Sequence, residues 1–167
     1  EALADLPVNC RWELHVLGTG PLEGRMRALA HRLGIGARCH FHGWVERQQA
    51  LKIASEMHVA LVTSLRDLTS TVVVEALETG LPVIAPSHCG FVDAINETCG
   101  ILVPSDNPKA MRAGIARAIA GLEQNETCRL ELAKGAIARA QCFDWKVKGK
   151  ALKEIYEGRL AEKGSKR

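Results

Sequence analysis

The sequence predicts a doubly wound α/β domain built on a parallel sheet. Strand-like and helix-like stretches alternate five times before the chain turns all-helical. The links between them are short, which demands parallel strands joined by right-handed crossovers. One stretch, "HVALVTS" (58–64), is apolar nearly throughout, as a strand buried on both faces should be. At 167 residues the chain is long enough for one domain with a sizeable core, and 1–167 is read as a single unit.

The elements follow in order. "WELHVLG" (12–18) alternates and ends in glycine, so it reads as a first strand. A helix follows, with Leu22, Met26, Leu29, Ala30 and Leu33 at helical spacing and Gly34 as its C-terminal cap. "RCHFHG" is a second strand and "VERQQALKIASEM" a second helix with Leu51, Ala54 and Met57 on one side. After the strand at 58–64, Thr69, Ser70 and Thr71 can cap a helix that runs through "VVVEALETG" to Gly80. Pro82 opens a fourth strand, where its missing N–H does little harm. "CGILVP" (99–104) is a fifth. Met111, Ile115, Ala118 and Leu122 stripe the next helix; Leu130, Ala133 and Ile137 stripe another; Trp145, Leu152, Ile155 and Tyr156 mark the last.

Composition excludes several classes. Apolar residues are 47% and charged residues 25%, the balance of an ordered globular protein. With three Trp, three Phe and one Tyr, the core must be aliphatic. A net charge of +3 without an aromatic-rich basic stripe gives no footprint for nucleic acid. Six cysteines without a C-x-x-C pair read as reduced thiols, which suits a cytoplasmic protein. No apolar run reaches the roughly 20 residues that span a bilayer. The lysine-rich last segment reads as a solvated helix face, with peripheral attachment to an anionic membrane as the alternative. His40 and His42 share one face of a strand, but no carboxylate or third histidine follows at ligand spacing, so no metal site is expected.

Ligands of an open parallel sheet bind at the carboxyl ends of its strands. Four loops lie on that edge: "GTGP" with Gly18 and Gly20, "HGWV" with Gly43, Trp44 and Val45, "SLRDLTST", and "PSHCGF" with Cys89 and Gly90. The first lacks the third glycine of a dinucleotide fingerprint: Glu23 stands there and Gly24 comes one place late. The third is more informative. If Ser70, Thr71 and Val72 begin a helix, their free N–H groups and the helix dipole form an anion site. Glu75 lies one turn in, where its carboxylate could accept from the vicinal hydroxyls of a ribose. Asp67, still in the loop, would face whatever lies beyond the phosphates. Ordinary helix grammar offers a competing account, since the dipole favours an early acid and Asp67 could be a simple cap.

The stretch "ALVTSLRDLTSTVVVEALETGLPVIA" resembles the signature of retaining glycosyltransferases of the GT-B fold, the group-one class: two acids flanking seven residues, then an alanine-bearing helix end, a glycine and "PVIA". "LHVLGTGPLEGRMRALAHRLG", "CHFHGWV", "GILVPSDNPKAMRAGIARAI" and "CFDWKVKGKALKEIYEGRL" extend the likeness along nearly the whole chain, in the order of that family's nucleotide-binding C-terminal half. The resemblance implies that Glu75 binds the donor ribose. Backbone groups of Ser70, Thr71 and Val72 would meet the diphosphate, and Asp67 would contact the transferred sugar. Gly18, Gly20, Gly43, Trp44 and Val45 would line the phosphate and base region, with Cys89 and Gly90 close by. The expected substrate is a nucleotide-diphosphate sugar, with no cofactor and no metal.

The chain also departs from the pattern. Asp67, Leu68, Thr69 and Ser70 replace a glutamate and a glycine-aromatic-glycine run, and Cys89-Gly90 replaces a double glycine before the acid Asp93. The family's half begins with a strand carrying an arginine and, shortly after, a lysine for the diphosphate; that strand would lie between "ELHVLG" and "ALVTS". The chain begins at "EALADLP", past its position, so a sheet lacking its first strand is expected. Arg66 and His88 are the local candidates to supply positive charge. The expectation is a donor-binding domain of a longer two-domain enzyme, inactive without its N-terminal acceptor-binding half. The alternatives are a nucleotide-binding module without transfer chemistry and a related sugar-nucleotide epimerase.

Overall fold

The computed structural model describes residues 1–65 and 71–164, with side chains described as far as 160. Five strands alternate with helices: β1 (Leu14–Leu17), α1 (Glu23–Arg32), β2 (Cys39–Gly43), α2 (Arg47–Ser55), β3 (Ala60–Leu61), α3 (Thr71–Glu78), β4 (Val83–Pro86), α4 (Phe91–Ala94) and β5 (Gly100–Val103). Three helices close the chain: α5 (Pro108–Gln124), α6 (Glu126–Gln141) and α7 (Trp145–Gly164). Their boundaries have local causes. The Asn107 side chain accepts from the Ala110 amide at 2.9 Å and Pro108 follows at the first position of α5. Asn125 repeats the device for α6, accepting from the Cys128 amide at 3.0 Å. Gly34 ends α1 at φ 71°, while the Ile35 amide returns to the Ala30 carbonyl.

Every strand pair is parallel, as the crossover pattern requires. The strands nevertheless form two sheets, β1–β2 and β3–β4–β5, rather than one. β1 and β3 each pair on one side only. Between them runs a cleft of about 1110 Å³, lined by Leu14, His15 and Leu17 on one bank and Val59, Ala60 and Leu61 on the other. The cleft lies where the missing strand was expected. It also explains a correction: "HVALVTS" is not the strand buried on both faces. As an edge strand on the cleft, β3 is short and half-buried, and β4 is the central strand, with Val83, Ile84 and Ala85 fully covered.

Two apolar clusters cover the larger sheet. One joins α3 and α6 through Val73, Leu77, Phe91 and Ala136; the other joins β4, β5 and α5 through Ile84, Val103, Ile115 and Leu122. The α5 stripe is as read from the sequence, but the α6 stripe is not. Its buried residues are Leu132, Ala136 and Ala140, whereas Leu130 and Ile137 are about half exposed. Close approach decides this, because Gly135 lets α6 lie directly against the Thr98 backbone. The face turned inward is therefore the one with small side chains. On α1 only Ala30 is buried, consistent with its serving a two-stranded sheet. All described side chains of α7 are exposed, Trp145, Leu152, Ile155 and Tyr156 among them.

The smaller sheet is held by Arg38. Its guanidinium donates to the Trp12 and Cys10 carbonyls, both at 2.9 Å, and lies 3.9 Å over the Trp12 ring. All six cysteines are free, and burial pushes the Cys10 and Cys39 thiols up. No helix among the described residues is long and apolar enough to cross a membrane.

Candidate donor site

The site is assembled by the loops that leave the strands. Gly18 closes β1 at φ 110° and Gly43 closes β2 at φ 70°, conformations open to glycine at little cost. The Gly18 amide donates to the Gly43 carbonyl at 2.7 Å, so the "GTGP" and "GWV" loops form one unit. Gly20 is open on its Cβ side. Trp44 is 74% exposed, and Val45 is half-buried. No ligand-binding role needs that tryptophan to be packed, and its exposed ring is available for contact.

Across the cleft, α3 begins at Thr71 among the described residues; Asp67 and Ser70, like the candidate cation Arg66, lie outside them. The first turn of any helix leaves its amides without intrahelical partners. Thr71 and Val72, both exposed, present that turn to solvent. Helical spacing then divides the faces of α3. Val73 and Leu77 are buried in the core, Ala76 is buried on the border between core and cleft, and Val72, Glu75 and Thr79 line the cleft. Glu75 is therefore neither turned into the core nor away from the groove.

Its one charged neighbour among the described residues was not foreseen. Arg47, at the start of α2, places Nε 3.5 Å from Glu75 Oε1. The contact is long and both side chains are open to water, so it fixes neither group strongly. It does place a guanidinium on the cleft beside the candidate ribose acid. The only signal for Arg47 in the sequence was its position after "GWV", which is too general to have singled it out.

The fourth loop is tied down from behind. Arg139 of α6 donates to the Asp93 and Ala94 carbonyls, and Phe91 is buried beneath. His88 lies tilted against Phe91 with ring centroids 5.6 Å apart, and among the described residues neither of its ring nitrogens has a hydrogen-bond partner. Cys89, exposed and free, takes φ 51°. It thus adopts the left-handed conformation that the glycine of the resembled pattern would adopt freely. Glycine would relieve about 1–2 kcal/mol of left-handed strain and add about 0.4–1 kcal/mol of unfolded-chain entropy, so Cys89→Gly is expected to stabilise the protein by up to about 1 kcal/mol. That corresponds to a rise of about 2–4 °C in Tm, and a thermal melt showing a fall would contradict the strain argument.

With this geometry in place, comparison with known proteins is decisive at the level of family. The family described as glycosyl transferases group 1 matches residues 1–135. The chain belongs to that family. This group 1 glycosyltransferase chain is 27% identical over 140 residues to a D-inositol 3-phosphate glycosyltransferase of Acidothermus cellulolyticus, an alignment spanning 83% of the chain and 30% of that relative. Sucrose-phosphate synthase of Thermosynechococcus elongatus superposes with a TM-score of 0.77 at 25% identity, covering 96% of the chain and 41% of the synthase. HepE of Anabaena, solved in complex with UDP, superposes with a TM-score of 0.77 at 22% identity over 94% of the chain and 43% of its own. The GT-B architecture, with its Rossmann-like parallel strands, is thereby established. The chain spans about a third of the length of the curated relatives it matches.

Proposed function

We propose that this chain is the nucleotide-sugar-binding half of a retaining glycosyltransferase, which moves a sugar from a nucleotide-diphosphate donor to an acceptor. One observation carries the reading: Glu75 faces the cleft one turn inside a helix that starts at the carboxyl edge of the sheet. In this reading Glu75 accepts from the ribose hydroxyls, and the amides of Ser70, Thr71 and Val72 meet the diphosphate. Asp67 contacts the sugar being transferred, while Gly18, Gly20, Gly43, Trp44 and Val45 border the base and phosphates, with Cys89 and Gly90 on the far side. Helix amides and Arg47 offset the charge of the departing diphosphate, so the reading asks for no metal there. At about 1110 Å³ the cleft stands at the upper end of the range of a usual small-molecule site, roughly 300–1,000 Å³. Acceptor recognition belongs to a separate N-terminal half. A cytoplasmic enzyme with peripheral membrane contact through the exposed apolar and lysine side chains of α7 fits this reading; failure to co-sediment with anionic vesicles at low salt would remove the membrane contact.

The second reading, a nucleotide-binding module without transfer, is favoured by Cys89 and by "DLTS", where the family pattern has glycines. Calorimetric titration of UDP, GDP and ADP against their sugar conjugates separates the two. Tighter binding of a sugar conjugate than of its bare nucleotide supports a working sugar site. Equal affinities support the module, and no binding of any of the six sinks both.

A further inference from the structure

The face of the smaller sheet carries a cluster that the strand spacing alone did not reveal. Parallel register sets His15 of β1 directly beside His40 of β2. Side chains two apart share a face, so Glu13 joins His15, and His42 joins His40. The described side chains bear this out. His15 Nε2 and His40 Nε2 each lie 3.5 Å from Glu13 Oε2, and one donor atom from each residue falls within 4.8 Å of the others. His40 Nε2 is shielded from water and makes no hydrogen bond among the described residues. The remaining nitrogen of His15, Nδ1, stands 3.0 Å from His42 Nε2, with the two rings stacked at 20°.

From this arrangement we propose a divalent transition-metal site, best suited to Zn²⁺, in which Glu13, His15 and His40 are the ligands and His42 orients His15. Ligand atoms on a tetrahedral zinc with bonds of about 2.0–2.1 Å stand about 3.3 Å apart; the two 3.5 Å separations need only a slight closure, and the donor set as a whole, within 4.8 Å, closes by side-chain rotation. Two imidazoles and a carboxylate match the preference of zinc for nitrogen and oxygen donors, and the exposed Glu13 side chain opens the cluster to solvent on one side, from which water can complete the shell. If His15 Nε2 binds the metal, its Nδ1–H donates to His42 Nε2. This hydrogen bond selects the tautomer that leaves Nε2 free, the usual task of an outer-shell partner. His15 and His40 sit on β1 and β2, with Glu13 just before β1, so none of the ligands is a residue assigned to the donor, although Glu13 and His15 line the same cleft. Its effect would be to clamp β1 to β2 on the side bordering the cleft.

The test is titration of the purified 167-residue chain with Zn²⁺ by calorimetry and with Co²⁺ by visible absorption. The expected result is one equivalent bound with Kd below about 10 μM and the d–d bands of tetrahedral cobalt. His15→Ala, His40→Ala and Glu13→Gln should each abolish this binding. His42→Gln should retain the cobalt spectrum while weakening affinity by about 10–100-fold. Circular dichroism of each variant separates loss of a ligand from loss of fold, and Glu13→Gln, an exposed and nearly isosteric change, keeps the test open should a histidine variant unfold. Absence of saturable binding, binding indifferent to these substitutions, or a thiolate charge-transfer band reporting cysteine ligation would each overturn the assignment.

Discussion

Glu75→Ala is expected to weaken binding of the preferred nucleotide diphosphate by at least about 100-fold while leaving the melting temperature almost unchanged. The first half follows from chemistry. Two hydroxyls donating to one carboxylate contribute about 1.5–3 kcal/mol each, and every 1.4 kcal/mol is tenfold in Kd. The second half follows from placement: the Glu75 side chain is 41% exposed, and its one ionic partner among the described residues is Arg47, at 3.5 Å. An exposed pair of this kind contributes at most about 1 kcal/mol to folding. The competing account, in which the acid merely complements the helix dipole, allows a similar stability loss of about 0.3–1 kcal/mol. It differs in expecting no change in nucleotide affinity. Glu75→Gln grades the two, since an amide oxygen still accepts but without charge, so affinity should fall to an intermediate value. Calorimetry with UDP, GDP and ADP, together with a thermal melt of the same samples, decides between them.

The parts of this molecule legible in its sequence are those where one local pattern has one structural meaning. Alternating elements with short links specified parallel strands, and Gly34 marks a real helix end. Glu75 was legible for the same reason: the spacing on α3 that buries Val73, Ala76 and Leu77 leaves it on the other face. What stayed hidden depends on contacts between distant segments. Arg47 meets Glu75 across 28 positions, and no spacing rule connects them. The His15, His40 and Glu13 cluster needs the β1–β2 register, which a search for ligands following His42 along the chain could not supply. The inward face of α6 was misread because size suggested Leu130 and Ile137, whereas the helix packs through Gly135, Ala136 and Ala140. Hydrophobicity located that helix, and steric access chose its face.

That close approach has the largest expected consequence for stability. Gly135→Ala should destabilise the domain by about 3 kcal/mol or more, at or beyond the upper end of ordinary overpacking. A Cβ at this position would stand 1.8 Å from the Thr98 carbonyl oxygen and 2.7 Å from its carbon. Backbone atoms cannot rotate aside as a side chain can. Nor is the Thr98 segment loose: Asn96 Oδ1 accepts from the Thr98 amide at 3.1 Å and from its hydroxyl at 2.7 Å, and the Cys99 amide returns to the Asn96 carbonyl at 3.1 Å. Relief must come from moving α6 outward, which would pull Ala136 and Ala140 from the cluster they share with Leu77 and Phe91. Gly121→Ala supplies the control on the preceding helix. Nothing lies within 4 Å of a Cβ there, so the better helix propensity of alanine should stabilise the chain by about 0.5–1 kcal/mol. Urea denaturation of the two variants should therefore move the midpoint in opposite directions. If Gly135→Ala melts like the parent, α6 does not pack against the Asn96–Thr98 turn as described, and the explanation for its small-residue face fails with it.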